Sequence, residues 1–224
     1  MEENAEDGDF AKRHLVNPAL LPLLGEVRGR RVLDAGCGTG YFTRMLAERG
    51  AHVIGVEPAE AMVAFARAKE AELGQGITYV QAELTLLPDL GGPFDSVVCS
   101  MVLMAVPDWK PAMRACVECL RPGGLFVFAL VHPAFEQLWS TWRDHGDYRV
   151  RRYLEEYEIV GPDASDFHRP LSAYLNELAS LGCRLREVVE PGLDPEVAEK
   201  SSIPGIESYV HLPNFLIVSA EAPR

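Results

Sequence analysis

The sequence contains no apolar run long enough to cross a membrane. Its two longest runs, LFVFALV and MVLMAV, are 7 and 6 residues long within a chain of 224 residues, whereas a membrane-spanning helix needs about 20. The first ten residues, MEENAEDGDF, are acidic and polar, which is the opposite of a secretion signal. We therefore expect a soluble protein of the cytoplasm without a membrane partner.

Positively charged residues are also scarce. The 21 lysines and arginines stand against 33 aspartates and glutamates, which gives a formal net charge of −12. A nucleic-acid partner requires a positive surface opposite its phosphates, so we expect no such partner. Arg149, Arg151 and Arg152 form a dense basic cluster, interpreted as a solvated edge, with an anion-binding cap as the alternative.

Cysteine is too sparse for a disulfide framework or a structural zinc site. The five cysteines are an odd number and no secretion signal accompanies them, so free thiols are expected. Cys116 and Cys119 form a closely spaced pair in CVEC, but no second pair supplies the four protein ligands that structural zinc usually takes. We therefore predict no bound metal.

The remaining composition is ordinary for a folded protein, with 48% hydrophobic and 24% charged residues. Strand-like and helix-like segments alternate between residues 30 and 132, which is typical of a parallel, doubly wound α/β sheet. The strand-like segments are RRVLDAG, HVIGVEP, ITYVQAE, FDSVVCSMVLMAV and LFVFALVHP. Helical sequence precedes them from about Phe10 to Leu24, and we expect Pro18 and Pro22 to interrupt it.

After residue 132, aromatic and charged residues replace this alternation. An insertion at that point of a doubly wound sheet lies over the carboxyl ends of the strands, where ligands bind. We therefore divide the chain into an N-terminal helical segment (1–29), a cofactor-binding core (30–132), a substrate cap (133–167) and the C-terminal part of the core sheet (168–224). The predicted substrate wall, whose members alternatively form the cap's own small core, consists of Phe135, Trp139, Trp142 and Tyr153.

Residues 32–42, VLDAGCGTGYF, place three glycines at alternate positions after a strand, which lets a ligand approach the backbone. Loops that hold a nucleoside triphosphate end in Gly-Lys-Ser or Gly-Lys-Thr, but here Tyr41 follows Gly40. The dinucleotide pattern Gly-x-Gly-x-x-Gly needs its third glycine where Tyr41 stands. The segment therefore favours a different nucleoside ligand.

Acidic residues at the ends of three strands indicate the charge of that ligand. A pyrophosphate close to Asp34 would be repelled by about 1–4 kcal/mol, depending on the dielectric, whereas an ammonium or sulfonium group would be attracted. Glu57, at the end of the second strand, suits ribose hydroxyls. Glu83, at the end of the third, suits an adenine amino group, with the Leu84 N–H available to a ring nitrogen. The alternatives are a strand-end capping acid for Asp34 and solvated acids at the other two positions.

Together these segments resemble the class I S-adenosylmethionine-dependent methyltransferases of the small-molecule type. VLDAGCGTGYFTRMLAERG is similar to that family's first motif, VIGVEPAEAMVAFARA to its second and ITYVQAELTLLP to its third, and the resemblance covers about residues 30–132. It implies a doubly wound, seven-stranded, mostly parallel Rossmann-like sheet with an antiparallel last strand and a small cap after the fifth strand. It also implies S-adenosyl-L-methionine as cofactor and methyl transfer to the oxygen or nitrogen of a small-molecule acceptor.

The resemblance further implies a set of cofactor contacts. Asp34 and the glycine loop face the methionyl end, Met62 packs near the adenine, and Ser100 offers backbone groups to the amino end, while Arg13 pairs with the carboxylate. The predicted cofactor-binding residues are Arg13, Asp34, Gly36, Cys37, Gly38, Gly40, Glu57, Pro58, Met62, Glu83, Leu84, Ser100 and Met101. The family usually has aspartate where Glu83 stands. CSMV replaces the Asn/Asp-Pro-Pro-Tyr motif of enzymes that methylate DNA bases.

Methyl transfer from a sulfonium is an in-line displacement, so the protein mainly aligns the acceptor and excludes water. A general base is needed only when the acceptor arrives protonated. His132 ends the fifth strand at the carboxyl rim and is the predicted base, with a purely orienting histidine as the alternative. His168 and His211 are further candidates, and Arg169 is predicted to bind either an acidic group of the substrate or an internal glutamate.

Other functions are compatible with the same motifs. An enzyme using the cofactor for a different transfer and a non-catalytic S-adenosylmethionine-binding regulatory module are the main alternatives. A nicotinamide oxidoreductase is disfavoured by Asp34 and Tyr41. The sequence determines neither the acceptor nor the oligomeric state, and a homodimer is compatible with it.

Overall fold

A central sheet of seven strands forms the framework of the computed structural model, which describes residues 9–136, 138–161 and 164–224. The described residues contain nine strands, of which β6 and β7 form a separate two-stranded sheet. The nine are Arg31–Ala35 (β1), His52–Glu57 (β2), Thr78–Gln81 (β3), Phe94–Ser100 (β4), Leu120–Val131 (β5), Tyr157–Val160 (β6), Ser165–His168 (β7), Arg184–Val189 (β8) and Phe215–Glu221 (β9). In the sheet their order is β3-β2-β1-β4-β5-β9-β8, with β1 to β5 parallel and β9 antiparallel to both of its neighbours. The predicted fold class is therefore confirmed.

The middle of the sheet is buried on both faces, which explains why its strands are continuously apolar. On β5, Phe126 and Phe128 pack into one hydrophobic cluster, while Val127 and Ala129 between them pack into a second cluster on the opposite face. This alternation follows from the two-residue period of a strand. A polar residue in either set would face a core, so the sequence has none there.

Helices cover both faces of the sheet. They are Asn17–Leu24 (α1), Tyr41–Glu48 (α2), Glu60–Leu73 (α3), Trp109–Glu118 (α4), Leu138–His145 (α5), Leu171–Ser180 (α6), Pro195–Lys200 (α7) and Ser208–His211 (α8). One cluster contains side chains of α4 and α6, and the other contains side chains of α1 and α2. Within the described parts of the chain, every helix is too short or too polar to span a bilayer.

The N-terminal helical sequence is continuous, so the prediction that Pro18 and Pro22 interrupt it was wrong. Helical residues run from Phe10 through a π-helical turn, Lys12–Val16, directly into α1. Pro18 lies just after the π-helical turn, and Pro22 lies inside α1. The wider turn before Pro18 accommodates its ring, because π-helical bonding shifts by one residue.

Two segments contain structure that the sequence pattern did not predict. Between β5 and α6, α5 is followed by an antiparallel hairpin of β6 and β7, paired from Tyr157↔His168 to Val160↔Ser165. Between β8 and β9 lie α7 and α8, and α7 begins where the Asp194 side chain accepts a bond from the Glu196 N–H at 2.8 Å. All five cysteines lie in the described residues and carry free thiols, as predicted.

Candidate functional site

A cavity of about 590 Å³ opens at the carboxyl ends of β1, β2 and β4. Its size is typical of small-molecule sites, and its position is the one where doubly wound sheets bind ligands. The residues that line it are Lys12, Asp34, Gly36, Cys37, Gly38, Thr39, Tyr41, Phe42, Glu57, Pro58, Met62, Glu83, Leu84, Thr85, Ser100, Met101, Val102, Ala105, Val106, Pro107 and Ala164. All predicted cofactor-binding residues except Arg13 and Gly40 are among them.

The glycine loop between β1 and α2 turns sharply enough to expose its backbone to the cavity. Gly36 and Gly38 have φ values of +79° and +55°, a region that disfavours residues with a Cβ. A Cβ on Gly36 would also overlap the side chain of Val102. The N–H groups of Gly36 and Cys37 donate to the Val56 carbonyl at 2.8 and 2.9 Å, which ties the loop to the end of β2.

Asp34 is the penultimate residue of β1 and is buried, with 2% of its surface exposed. The Thr43 hydroxyl donates to its Oδ2 at 2.6 Å from the first turns of α2. Burial raises the pKa of Asp34 to about 7, and the nearby Glu57 charge adds to the rise, while the Thr43 hydrogen bond opposes it. The site therefore holds an anion only at an electrostatic cost, which a bound cation would offset.

Glu57 ends β2, and backbone donors hold both of its oxygens in place. The Gly38 N–H donates to Oε2 at 3.0 Å, and the Ala59 N–H donates to Oε1 at 3.1 Å. Each carboxylate oxygen has a further lone pair, so the group can still accept bonds from two hydroxyls. The glycine loop thus orients the acid that was predicted to bind the ribose.

The remaining predicted contacts lie around the rim of the cavity. Met62 and Leu84 contribute apolar surface, and Glu83 stands beside them. Ser100 Oγ is buried and has no hydrogen-bond partner among the described residues. Met101 adopts a φ of +62°, a strained conformation for a residue with a Cβ. Such strain is common where a backbone is shaped for a ligand.

The N-terminal helix contributes Lys12 to the cavity, and Arg13 is absent from its lining. Lys12 Nζ lies 5.3 Å from the centre of the Tyr41 ring and 3.7 Å from Asp9 Oδ2. Arg13 is exposed. Gly40 also departs from the predicted role, because it packs against Tyr79 at the start of α2 instead of lining the cavity. Its φ of +77° and the close tyrosine ring account for the glycine.

His132 is absent from the cavity lining, and both of its ring nitrogens have partners. Nε2 lies 2.7 Å from Glu190 Oε1, and Nδ1 accepts the Ala134 N–H at 3.1 Å. His132 as a whole is 4% exposed. This arrangement supports the orienting role, in which His132 fixes the start of the cap, and gives no support to the predicted general base.

The other two histidine candidates also lie away from the cavity lining. His168 is buried, with Nδ1 at 2.8 Å from Glu136 Oε2 and Nε2 at 2.9 Å from the Tyr153 carbonyl. His211 is exposed at the end of α8. The described histidines therefore supply no proton acceptor directly at the cavity.

Of the predicted aromatic wall, Phe135, Trp142 and Tyr153 are absent from the cavity lining and have partners elsewhere. Phe135 packs between His132 and Tyr148, with ring centroids 5.0 and 5.4 Å away. Trp142 donates from Nε1 to Glu207 at 3.2 Å, and the Tyr153 hydroxyl accepts the Leu171 N–H at 3.1 Å. The side chain of Trp139 lies outside the described part of the chain. Among the described cap residues, Ala164 reaches the cavity.

Arg169 follows neither of its predicted roles. It donates to the carbonyls of Leu103, Val106 and Pro107 instead of to a carboxylate. Those carbonyls belong to the segment between β4 and α4, which lines the cavity through residues that sequence reasoning missed. The missed lining residues are Lys12, Thr39, Tyr41, Phe42, Thr85, Val102, Ala105, Val106, Pro107 and Ala164. Proximity to the glycine loop could have indicated Thr39, Tyr41 and Phe42, but no sequence signal marks Ala164.

The cavity's polar groups fit S-adenosylmethionine. Asp34, Glu57 and Glu83 line it, so carboxylates outnumber the cationic side chain of Lys12 among the described lining residues. The buried Asp34 carboxylate matches a ligand ammonium or sulfonium, and the unpartnered Ser100 Oγ can accept from an amino group. Within the described residues, no group of three or more potential metal ligands is found.

Comparison with known proteins agrees with this geometry. Residues 33–128 match the family described as methyltransferase domain. The chain is 37% identical over 169 residues to a ubiquinone biosynthesis O-methyltransferase of Idiomarina loihiensis, covering 69% of each protein. It is 34% identical over 131 residues to the protein of the same name from Bordetella avium, and this match spans only 54% of that relative.

A solved structure matches almost the whole chain. It is the S-adenosylmethionine dependent methyltransferase from Mesorhizobium loti, with 33% identity, a TM-score of 0.78 and coverage of 91% of this chain and 96% of that one. The fold, the acidic cavity and these similarities together show that the chain belongs to the class I S-adenosylmethionine-dependent methyltransferase family.

Proposed function

We propose that this methyltransferase transfers the methyl group of S-adenosyl-L-methionine to a hydroxyl oxygen of a small molecule. The observation that carries the proposal is the acidic cavity at the glycine loop, where Asp34, Glu57 and Glu83 converge. The relative with 37% identity is named as an O-methyltransferase, which supports oxygen as the accepting atom. The apolar side chains of Val102, Ala105 and Val106 line the same cavity and suit a flat or aliphatic acceptor.

The residues at the cavity divide into roles along the cofactor. We propose that Asp34 and the glycine loop hold the methionyl end, that Glu57 binds the ribose hydroxyls, and that Met62 packs near the adenine. Glu83 and the Leu84 N–H then serve the adenine edge, and Ser100 and Met101 the amino group. Lys12 replaces Arg13 as the proposed partner of the cofactor carboxylate, because Lys12 lines the cavity.

The bound cofactor supplies a sulfonium-activated methyl group and a neutral thioether leaving group. The chain's part is to hold the acceptor oxygen in line with that methyl and to exclude water. His132 has both ring nitrogens occupied and no place in the cavity lining. We therefore propose that alignment by the cavity wall, without a histidine base, provides most of the rate enhancement.

The test uses the purified chain with S-adenosylmethionine labelled in its methyl group. The acceptors are simple catechols and phenols, with the matching anilines to detect nitrogen methylation. We expect label in the catechol or phenol products, detected by mass spectrometry. Asp34→Asn should lose most of this activity, because the substitution removes the charge opposite the cofactor ammonium. Asp89→Asn changes an exposed aspartate and should retain the activity.

Other outcomes would contradict the proposal in distinguishable ways. Label only in anilines would replace oxygen with nitrogen as the accepting atom. Calorimetric binding of S-adenosylhomocysteine without any labelled product would favour a regulatory module or a different transfer. If S-adenosylhomocysteine does not bind, the assignment of the cavity as the cofactor site is wrong.

The division into segments 1–29, 30–132, 133–167 and 168–224 stays a proposal, supported by the position of α5 and the β6–β7 hairpin between β5 and α6. We also propose a cytoplasmic location, a small molecule as the main partner, and no nucleic-acid or membrane partner. The net charge of −12 supports the last point. A homodimer remains compatible with the chain, and sedimentation analysis would test it.

A further inference from the structure

Arg169 is a permanently charged side chain that is almost fully buried, with 3% of its surface exposed. It lies directly after β7, and its guanidinium points to the segment between β4 and α4, residues 101–108. Nη1 donates to the Leu103 carbonyl at 3.0 Å, and Nη2 donates to the carbonyls of Val106 at 2.9 Å and Pro107 at 3.2 Å. One side chain thus holds three carbonyls of one irregular segment.

Two aromatic rings fix the guanidinium between the cap and the core. Its central carbon lies 5.4 Å from the Trp109 ring centroid and 5.1 Å from that of Phe167. Trp109 begins α4, whereas Phe167 belongs to the β6–β7 hairpin of the cap. Stacking on both rings limits the rotation of the planar group, so its donors keep their directions.

The segment that Arg169 holds forms one wall of the large cavity. Val102, Ala105, Val106 and Pro107 all line it. Val102 also lies directly against Gly36, so the segment contacts the glycine loop. A displacement of this wall would change the space beside the proposed cofactor site, where the acceptor must stand.

Open space lies behind the same segment. A second cavity of about 110 Å³ is lined by Met104 and Arg169, together with Val131, Ile159 and Phe167. Of residues 101–108, Met104 borders this cavity, so packing beside that residue is incomplete. The hydrogen bonds from Arg169 therefore supply part of what holds the segment in place.

We propose that Arg169 is a positioning residue that sets the shape of the acceptor wall and so determines which acceptors fit. The acceptor part of this inference rests on the proposed function. Lysine at this position keeps the charge but presents a single ammonium on a flexible stem, which cannot hold three carbonyls in fixed directions. The wall should then move towards the small cavity and admit bulkier acceptors.

The test compares Arg169→Lys with Arg186→Lys, an exposed arginine on β8 whose partner is Glu221. Labelled methyl transfer is measured to 4-methylcatechol and to the bulkier 4-tert-butylcatechol. For Arg169→Lys we expect KM for 4-methylcatechol to rise about tenfold with little change in kcat. The preference should shift towards the bulkier catechol, while calorimetric binding of S-adenosylhomocysteine stays as in the parent. Arg186→Lys should change none of these values.

Hydrogen exchange gives a readout that does not depend on turnover. Residues 101–108 should exchange faster in Arg169→Lys than in the parent, while β1 and α2 stay unchanged. Phe167→Leu keeps Arg169 but removes one stacking ring. It should shift the hydrogen exchange of residues 101–108 and the preference between the two catechols in the same direction as Arg169→Lys. It replaces Arg169→Lys in the test if that variant does not fold.

Unchanged hydrogen exchange of residues 101–108 would overturn the inference, as would unchanged preference between the catechols. If the parent binds S-adenosylhomocysteine but methylates neither catechol, the proposed function fails for phenolic acceptors, and exchange alone decides the role of Arg169.

Discussion

A carboxylate buried at the end of a strand stays ionised only when a cation or several hydrogen-bond donors face it. Asp34 has the Thr43 hydroxyl as a side-chain donor, and its charged neighbour Glu57 has the same sign. Burial therefore raises the pKa of Asp34 to about 7, so both protonation states are populated near neutral pH. A ligand ammonium would favour the ionised state, so cofactor binding is coupled to loss of the proton from Asp34.

We predict that affinity for S-adenosylhomocysteine falls as the pH falls below about 7. Protonated Asp34 no longer attracts the ligand ammonium. Well below that pKa, the dissociation constant should rise about tenfold for each unit by which the pH falls. Titration calorimetry from about pH 5.5 to 7.5 measures the constant and the protons released on binding. Asp34→Asn should bind weakly at every pH without this dependence. A flat profile in the parent would contradict the prediction.

At the scale of an element, the N-terminal helix determines which of two adjacent basic side chains reaches the cavity. The sequence offers Lys12 and Arg13, which are adjacent and therefore point in different directions around a helix. The π-helical turn Lys12–Val16 sets that rotation, with Leu15 and Val16 buried against the sheet. Lys12 then lines the cavity and Arg13 is exposed.

We predict that Lys12→Ala weakens cofactor binding more than Arg13→Ala does. Removing one partly exposed ion pair to the cofactor carboxylate should raise the dissociation constant of S-adenosylhomocysteine by about three- to tenfold. Calorimetry on both variants measures this difference. Adenosine, which has no carboxylate, is the control ligand, and its affinity should not respond to Lys12→Ala. A larger effect from Arg13→Ala would restore Arg13 as the carboxylate's partner.

The aromatic residues of the cap also take a different place from the one that their own segment predicted. They were predicted to form a substrate wall because aromatic rings at a cavity mouth often stack on ligands. In the structure, Phe135 packs with tilted rings against His132 and Tyr148, and Tyr157 stacks on His168 with ring centroids 4.7 Å apart. The partners of these rings come partly from outside the cap, so the sequence of the insertion alone does not determine which way the rings face.

At the scale of the whole molecule, alternating apolar segments were enough to predict the sheet, because parallel strands buried on both faces must be continuously apolar. Strand-end acids such as Asp34 and Glu57 were also predictable, since parallel strands bring their carboxyl ends to one edge. Contacts that depend on how separate segments pack were not predictable. Ala164 at the cavity and Arg169 on the carbonyl of Leu103 arise only when the cap hairpin meets the β4–α4 segment.

The same carboxylate that favours binding should destabilise the protein in the absence of ligand. The pKa of Asp34 is about 7 in the folded chain, against an ordinary value of 3.8. Between these values the folded state binds more protons than the unfolded state, so the free energy of unfolding falls as the pH rises from about 4 to 7. A pKa difference of this size corresponds to at most about 4 kcal/mol.

We therefore predict that Asp34→Asn is more stable than the parent at pH 8 without ligand, and that this advantage shrinks towards pH 5. Asparagine keeps an acceptor oxygen for the Thr43 hydroxyl and carries no charge to desolvate. Urea denaturation at both pH values measures the free energy, with Asp89→Asn as the control at an exposed aspartate. S-adenosylhomocysteine at a concentration that saturates the parent should stabilise the parent by mass action more than it stabilises the weakly binding Asp34→Asn, and so reduce or reverse the difference. If Asp34→Asn is the less stable protein at pH 8 without ligand, the carboxylate contributes to folding through contacts other than those that raise its pKa.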